Sequence, residues 1–408
     1  MSVTRREFVR LCAGAAALGA TGASGFFNRA LADPPVLDKS YEYYCPELVE
    51  ITEPGPVILP DGACRCGWTR RPILELNFED AKFSPSKQKI RQAMKKWDMY
   101  HLYTPEYGMS FLVAWIPYAA FFSANLYDRK TNRFYEDTRF LPPNPEIPMM
   151  RDSTGGKTVF ESDRAKAIFE VDGEHHKIKV VFEEFPMTDK EKADININAP
   201  SGEKDRRTTY EIEADLLYPK DHDSIAGVHM TNPRRCHYGH KINCMTAEGA
   251  VTFDGRTSAM SRQSSFGALD FGRGHYPRKM FWYWATASGR AADGKLVGFN
   301  LGYGNSPGNL AENALFYDGR ITKINAVACG VPSDAELMKP WSVRDEEGLV
   351  DLTFTPRKVR RIDVKVGSGH SIGRPSLGFY SGKLVTSSGR VIELKDLFGL
   401  YEWVDSKW

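Results

Sequence analysis

Five polar residues around one aromatic stretch make the strongest case for chemistry in this chain. Asp270, Arg273 and His275 precede the run Phe281-Trp282-Tyr283-Trp284, and Glu312 and Asn313 come just before Ala314-Leu315-Phe316-Tyr317. Charged groups beside aromatic strands are costly to bury unless they are paired. One reading is structural: Asp270 and Arg273 close a Gly-rich turn with Gly272 and Gly274, and Glu312 binds backbone amides at a strand corner. The other makes Asp270 or Glu312 a carboxylic acid whose pKa is raised beside an apolar pocket. Such an acid protonates an alkene or polarises a hydroxyl. Trp282 and Trp284 would stabilise the developing cation through their ring faces. In this scheme His275 or Tyr238 relays the proton and Asn300 or Asn313 orients the substrate. Trp97, Trp282, Trp284, Arg273 and Lys241 complete the ligand contacts.

Other residues suited to chemistry carry less. The run Cys236-His237-Tyr238-Gly239-His240-Lys241-Ile242-Asn243-Cys244 has the residue types of a zinc or copper site. On a strand Cys236, His240 and Cys244 share a face, but at ~3.3 Å per residue its two ends lie too far apart for one ion. A disulfide is the simpler reading, with Cys236 and Cys244 a reasonable local pair. Cys64 and Cys66 are too close for an easy mutual bond, so each needs a distant partner; a clasp of two disulfides suits an exported chain. His175-His176 follows an Asp-Gly turn and reads as a solvated loop pair. There is no nucleophile elbow, phosphate-cradling loop or dinucleotide fingerprint, and no metal or cofactor is expected.

The elements that must position these groups read as strands. Asx-Gly turns at 172–173, 254–255, 293–294 and 318–319 punctuate short apolar runs, and no long helical period appears. Strands are expected at 73–78, 96–103, 109–126 (one bent strand or two), 158–160, 167–171, 177–182 and 208–218. In the second half they are expected at 295–303, 313–317, 350–354, 359–366, 378–386 and 391–397. A short helix over 84–96 would have Ser84 as its N-cap and Pro85 as its first residue. Residues 186–207 read as a long surface loop. The pattern predicts an all-β chain of two antiparallel β-barrels or strongly curved sandwiches side by side. The expected division is an extended surface arm at 33–60, a first barrel at 61–225 and a second at 226–408.

Residues 1–32 read as a targeting segment. Thr4-Arg5-Arg6-Glu7-Phe8-Val9-Arg10 matches the twin-arginine pattern, a mildly apolar Ala/Gly run follows, and Ala30-Leu31-Ala32 suits a signal peptidase. Cleavage is expected after Ala32, with delivery by the twin-arginine machinery to the periplasm or outside the cell. Cleavage would remove four arginines and one acid, taking the formal charge from +2 to −1. No basic excess then remains to suggest nucleic acid, and no remaining apolar run suits a stable membrane span.

Several sequence pieces together resemble the domain of unknown function 2804 family, roughly from Gly67 to Trp408. They include Gly67-Trp68, Lys96-Trp97-Asp98-Met99-Tyr100, Tyr238 with Lys241, Asp270-Phe271-Gly272-Arg273-Gly274 and Trp282-Tyr283-Trp284-Ala285. Further on come Gly298-Phe299-Asn300-Leu301-Gly302, Glu312-Asn313-Ala314, Asp351-Leu352-Thr353-Phe354 and Gly399-Leu400-Tyr401-Glu402. The chain departs from the family pattern at Gly239-His240, where a hydroxyl residue and a small polar one are expected. The family is similar, more distantly, to calycin-like proteins with two lipocalin-type barrels, among them carotenoid hydratases (hydroxyneurosporene synthases) and tocopherol cyclases. The resemblance implies a barrel pair and a small apolar ligand, lipid-, isoprenoid- or steroid-like. Together the readings point to acid–base hydration, isomerisation or cyclisation, a hydro-lyase or isomerase type of enzyme. The alternatives are a carrier without turnover and a carbohydrate-active protein.

Overall fold

Strand alternation writes the architecture. In the strand Val350–Val359 buried and exposed residues alternate up to its last residue, which is half-buried, as a sheet with one face on a core requires. Asp254-Gly255 and Asp318-Gly319 have positive φ at both residues, the conformation of tight hairpin turns that match strand twist. The computed structural model describes residues 49–407, except 84–85, 118, 142–145, 190–191, 194–205, 233–234, 305–311 and 367–368. The targeting segment 1–32, most of the 33–60 arm, and Ser84 with Pro85 lie outside the described residues.

Two large, mostly antiparallel sheets curl side by side, each around its own apolar core. The first runs Arg133–Phe140, Ala119–Asp128, Tyr107–Ile116, Met94–Tyr103, Phe266–His275, Arg235–Phe253, Arg207–Leu217, His175–Pro186, Ala165–Asp172, Gly156–Glu161. The second runs Arg320–Lys323, Ala314–Tyr317, Leu296–Gly304, Lys279–Arg290, Val391–Lys407, Ser376–Val385, Val350–Val359, Trp341–Arg344, Ala328–Gly330. Among the described residues no helix is long and apolar enough to cross a membrane.

Several local expectations change. The change of sheet falls between His275 and Lys279, well beyond the division expected at 225, because Arg235–Phe253 and Phe266–His275 still pair inside the first sheet. Asp270 to Gly274 is therefore strand, not turn. Of 73–78 only Leu74–Glu75 is strand, and a 3-10 turn starts at Phe78. The short helix is Lys87–Arg91, capped by the Ser86 side chain. Ile51, Val57 and Ile58 of the arm are buried in the first core rather than lying on the surface. Residues 109–126 fall on two strands, and Ile225–Asn232 is a strand that the expected set does not include. His175-His176 is also strand: His176 is buried and hydrogen-bonded to the Tyr100 hydroxyl at 2.9 Å.

A bulge joins the halves. Cys244 has φ 64° and the register with Phe266–His275 shifts there. The turned-out Asn243 amide donates to Thr286 Oγ1 at 2.9 Å and to the Phe299 carbonyl at 3.1 Å in the second sheet. These bonds lock the sheets beside the cavity between them.

Candidate functional site

Between the two sheets lies a partly open cavity of about 350 Å³, within the size range of small-molecule sites. The Arg235–Phe253 strand presents His237, Gly239 and Lys241 to it, while Tyr238 and Ile242 point into the first core. Lys241 stands directly opposite Asp270 on Phe266–His275 and donates a hydrogen bond to its carboxylate. The same ammonium lies 3.4 Å from Glu312 Oε2 and 5.4 Å from the Trp284 ring centroid. The side chains of Lys241, Asp270 and Glu312 are each about nine-tenths buried.

Two glycines make room for this cluster. A Cβ on Gly239 would sit 2.6 Å from Glu312 Cδ, so only a residue without a side chain leaves the carboxyl its place. A Cβ on Gly272 would sit 2.7 Å from Trp97 Cδ2. Trp97 thus lies flat on the strand and donates from Nε1 to Asp270 Oδ1 at 3.0 Å.

Side-chain amides hold Glu312 in place. Asn313 accepts from Gly302 N at 2.7 Å and donates to Gly302 O at 3.0 Å, continuing the ladder where the backbone does not. Asn300 donates to the Glu312 carbonyl at 2.9 Å and accepts from Trp284 Nε1 at 2.7 Å. One amide therefore fixes both the acid and the aromatic wall.

Electrostatics divide the roles. Burial pushes the Glu312 carboxyl up to about 7, against the pull of Lys241 and with the push of Asp270. Burial alone would lower the Lys241 ammonium, but Asp270 and Glu312 together leave it above its ordinary value. The site therefore holds a fixed cation and a carboxyl poised to give its proton near neutral pH. A row of His229, His237, Tyr276 and Trp97 rings in edge-on and tilted contact, with centroids 3.7, 4.2 and 4.7 Å apart in turn, forms one wall. Burial, aided by Lys241, drives His229 down to about 3, so it faces the cavity as a neutral ring.

Of the residues picked from sequence, Asp270, Glu312, Lys241, Trp97, Trp282, Trp284, Asn300 and Asn313 all line this cavity. Three candidates do not. Arg273 is buried with Asp98, 2.6 Å away, donates to the Met150 carbonyl at 2.8 Å and covers Phe271. His275 packs edge-on against Phe78 and Phe83 in a separate hollow. Tyr238 belongs to the first core, against Phe271. The reason is common to all: each lies an odd number of residues from a cavity-facing neighbour on its strand, and successive side chains face opposite sides. Lys241, not His275 or Tyr238, is the partner that Asp270 and Glu312 share. Sequence reasoning passed over Glu402, which lines the cavity and accepts from Trp282 Nε1 at 3.2 Å. It also passed over His229, Tyr276 and His237 as cavity residues.

The cysteine–histidine run disperses. Cys236 is disulfide-bonded to Cys64, a strap across 172 residues that replaces the expected local pair. His240 is held between Ser153 and Ser224 at 2.6 and 2.8 Å. Cys244 is buried and free. Among the described residues no group of three or more His, Cys, Asp or Glu is arranged to hold a metal.

A family profile described as Domain of unknown function (DUF2804) matches residues 48–408. Comparison with curated proteins returns no match. Among solved structures, a candidate AttH protein from Nitrosomonas europaea matches with a TM-score of 0.43 at 12% identity, over 77% of this chain and 92% of that one. Kievitone hydratase from Nectria haematococca matches with a TM-score of 0.34 at 10% identity, over 77% and 88% of the two chains. Both scores lie below 0.5, so neither structure bears on how the site works.

Proposed function

This chain belongs to the domain of unknown function 2804 family, and we propose that it binds a small apolar molecule between its sheets and performs acid–base chemistry on it. The observation that carries this reading is Glu312: a carboxyl in an aromatic cavity, raised to about 7 by burial, beside a lysine held by a second carboxylate. An acid of that kind is what protonation of an alkene, the opening step of hydration, isomerisation or cyclisation, requires. Trp284, already beside the Lys241 ammonium, would face the cation that develops. Asp270 holds the Lys241 ammonium in place, and Lys241 would support the Glu312 charge after proton transfer. A carrier would keep polar groups at the rim, whereas here the charged cluster lines the interior. Export belongs to the reading: the twin-arginine pattern over residues 4–10 and the Cys64–Cys236 disulfide both suit an oxidising compartment.

The test is native mass spectrometry of the mature protein, release of what it retains, and incubation of that molecule with fresh wild-type and Glu312→Gln protein. The expected result is an apolar unsaturated molecule that both bind and only wild type converts. Conversion by Glu312→Gln at the wild-type rate would remove Glu312 as the acid.

A further inference from the structure

The cavity contains the same pairing twice, once from each sheet. In the first sheet Trp97 stands opposite Gly272, and Asp270, two residues before Gly272, accepts the indole N–H at 3.0 Å. In the second sheet Trp282 stands opposite Val404, and Glu402, two residues before Val404, accepts the indole N–H at 3.2 Å. Both pairs are diagonal neighbours across antiparallel strands, within reach of a long aromatic side chain. All four residues line the one cavity.

The copies differ in their third member. Asp270 has Lys241 directly across from it. Glu402 makes no ion pair among the described residues. The charges acting on it are Asp270, Arg360 and Lys241, all on the cavity wall, with Arg360 ion-paired to Glu136 of the first sheet. Burial pushes Glu402 up to about 7, with the Trp282 hydrogen bond pulling the other way. It is also directly opposite Trp284, the ring that covers Lys241. Trp282, Glu402 and Trp284 therefore form one continuous piece of wall. A carboxyl with a single donor and no counter-ion has spare hydrogen-bonding capacity, and the cavity is where an acceptor or donor can reach it.

We propose that Glu402 is a second ligand-facing carboxyl of this site, the second sheet's counterpart of Asp270, and that the occupant carries a hydroxyl or carbonyl oxygen on its apolar body that hydrogen-bonds to it. The occupant is thus an oxygenated apolar molecule held at two points, by Glu402 at one and by the Glu312–Lys241–Asp270 cluster at the other. This rests on the reading of the cavity as the ligand site.

The probe is 2-naphthol, an apolar bicycle with one hydroxyl, bound to the full chain at pH 6. Infrared spectra record protonated-carboxyl C=O bands, assigned by their loss in Glu402→Gln and Glu312→Gln, and calorimetry gives the affinity. The expected result is that 2-naphthol shifts the Glu402 band, and that Glu402→Leu weakens binding about tenfold, as losing a hydrogen bond worth ~1.4 kcal/mol would. Trp282→Phe, which keeps the carboxyl but removes its donor, should raise the pH at which the Glu402 band disappears. Binding that moves only the Glu312 band, with Glu402→Leu within twofold of wild type, overturns the proposal and leaves the cavity as the site. Failure of 2-naphthol to bind or to move either band overturns the cavity reading and the proposal with it.

Discussion

Replacing Glu312 by Gln should make the protein more stable at pH 8 while leaving it unchanged at pH 4. Burial raises the Glu312 carboxyl from 4.5 to about 7 in the folded chain, so the folded state holds this proton more tightly than the unfolded state does. Below pH 4.5 both states are protonated, and wild type is free of any ionisation penalty. As pH rises from 4.5 to about 7 the unfolded chain releases the proton first, and wild type loses stability. Above both values the loss is constant. At ~1.4 kcal/mol for each unit it comes to about 3 kcal/mol. The amide introduced by Glu312→Gln stands in for the neutral acid and never ionises, so the variant should gain on wild type across that window and keep the gain at higher pH.

Calorimetry at pH 4, 6 and 8 reads this directly. With an unfolding entropy of ~2.1 cal/mol/K per residue, about 3 kcal/mol in a chain of this length is a Tm gap of about 4 °C at pH 8 and none at pH 4. A gap that does not change with pH, or a variant that is less stable at pH 8, would show that Glu312 is an ordinary ionised partner of Lys241. The acid assignment would then fall. The predicted sign also separates a working acid from a structural ion pair: a group kept despite its cost to stability is kept for something else.

Gly239→Ala should push the Glu312 carboxyl off Lys241, because the new Cβ has no room beside Glu312 Cδ. Overpacking of this kind costs ~1–3 kcal/mol, and the Glu312 infrared band should move in the variant; an unmoved band would mean that the carboxyl has another place to rest. Arg273→Met should cost ~3–5 kcal/mol, since it strands a buried Asp98, yet leave 2-naphthol affinity within twofold wherever the protein stays folded. A large loss of affinity at temperatures where circular dichroism is unchanged would return Arg273 to the site.

What was legible in the sequence was whatever composition and turn chemistry decide locally. Asx-Gly hairpins and alternation reveal an all-β chain of two curled sheets, and carboxylates beside tryptophans single out Asp270, Glu312, Trp282 and Trp284. What was hidden depends on which face of a strand a residue takes. Reading Asp270 to Gly274 as a turn left no way to tell that Asp270 faces the cavity while Arg273 and His275 face away. The same parity separates Lys241 from Tyr238. Glu402 was hidden for a related reason: strand Val391–Lys407 continues through the closing Gly399-Leu400-Tyr401-Glu402, which without a pairing partner in view reads only as a terminus. Its partner, Lys279–Arg290, lies more than a hundred residues earlier, and the register that sets Trp282 beside Glu402 is a tertiary fact.

Burial explains why an acid sits in the cavity. Lys241 lies between Asp270 and Glu312, and ionising a second carboxylate beside Asp270 among aromatic rings carries a desolvation cost. That cost favours a protonated Glu312 near neutral pH. Asp270 takes both Lys241 and the Trp97 N–H as donors, whereas Glu312 sits at the longer 3.4 Å contact with Lys241. On the proposed reading, a carbocation forming against Trp284 would place a positive charge beside Glu312. That charge would favour the ionised form of Glu312 once its proton has moved to the substrate, the differential stabilisation that the proposed chemistry requires.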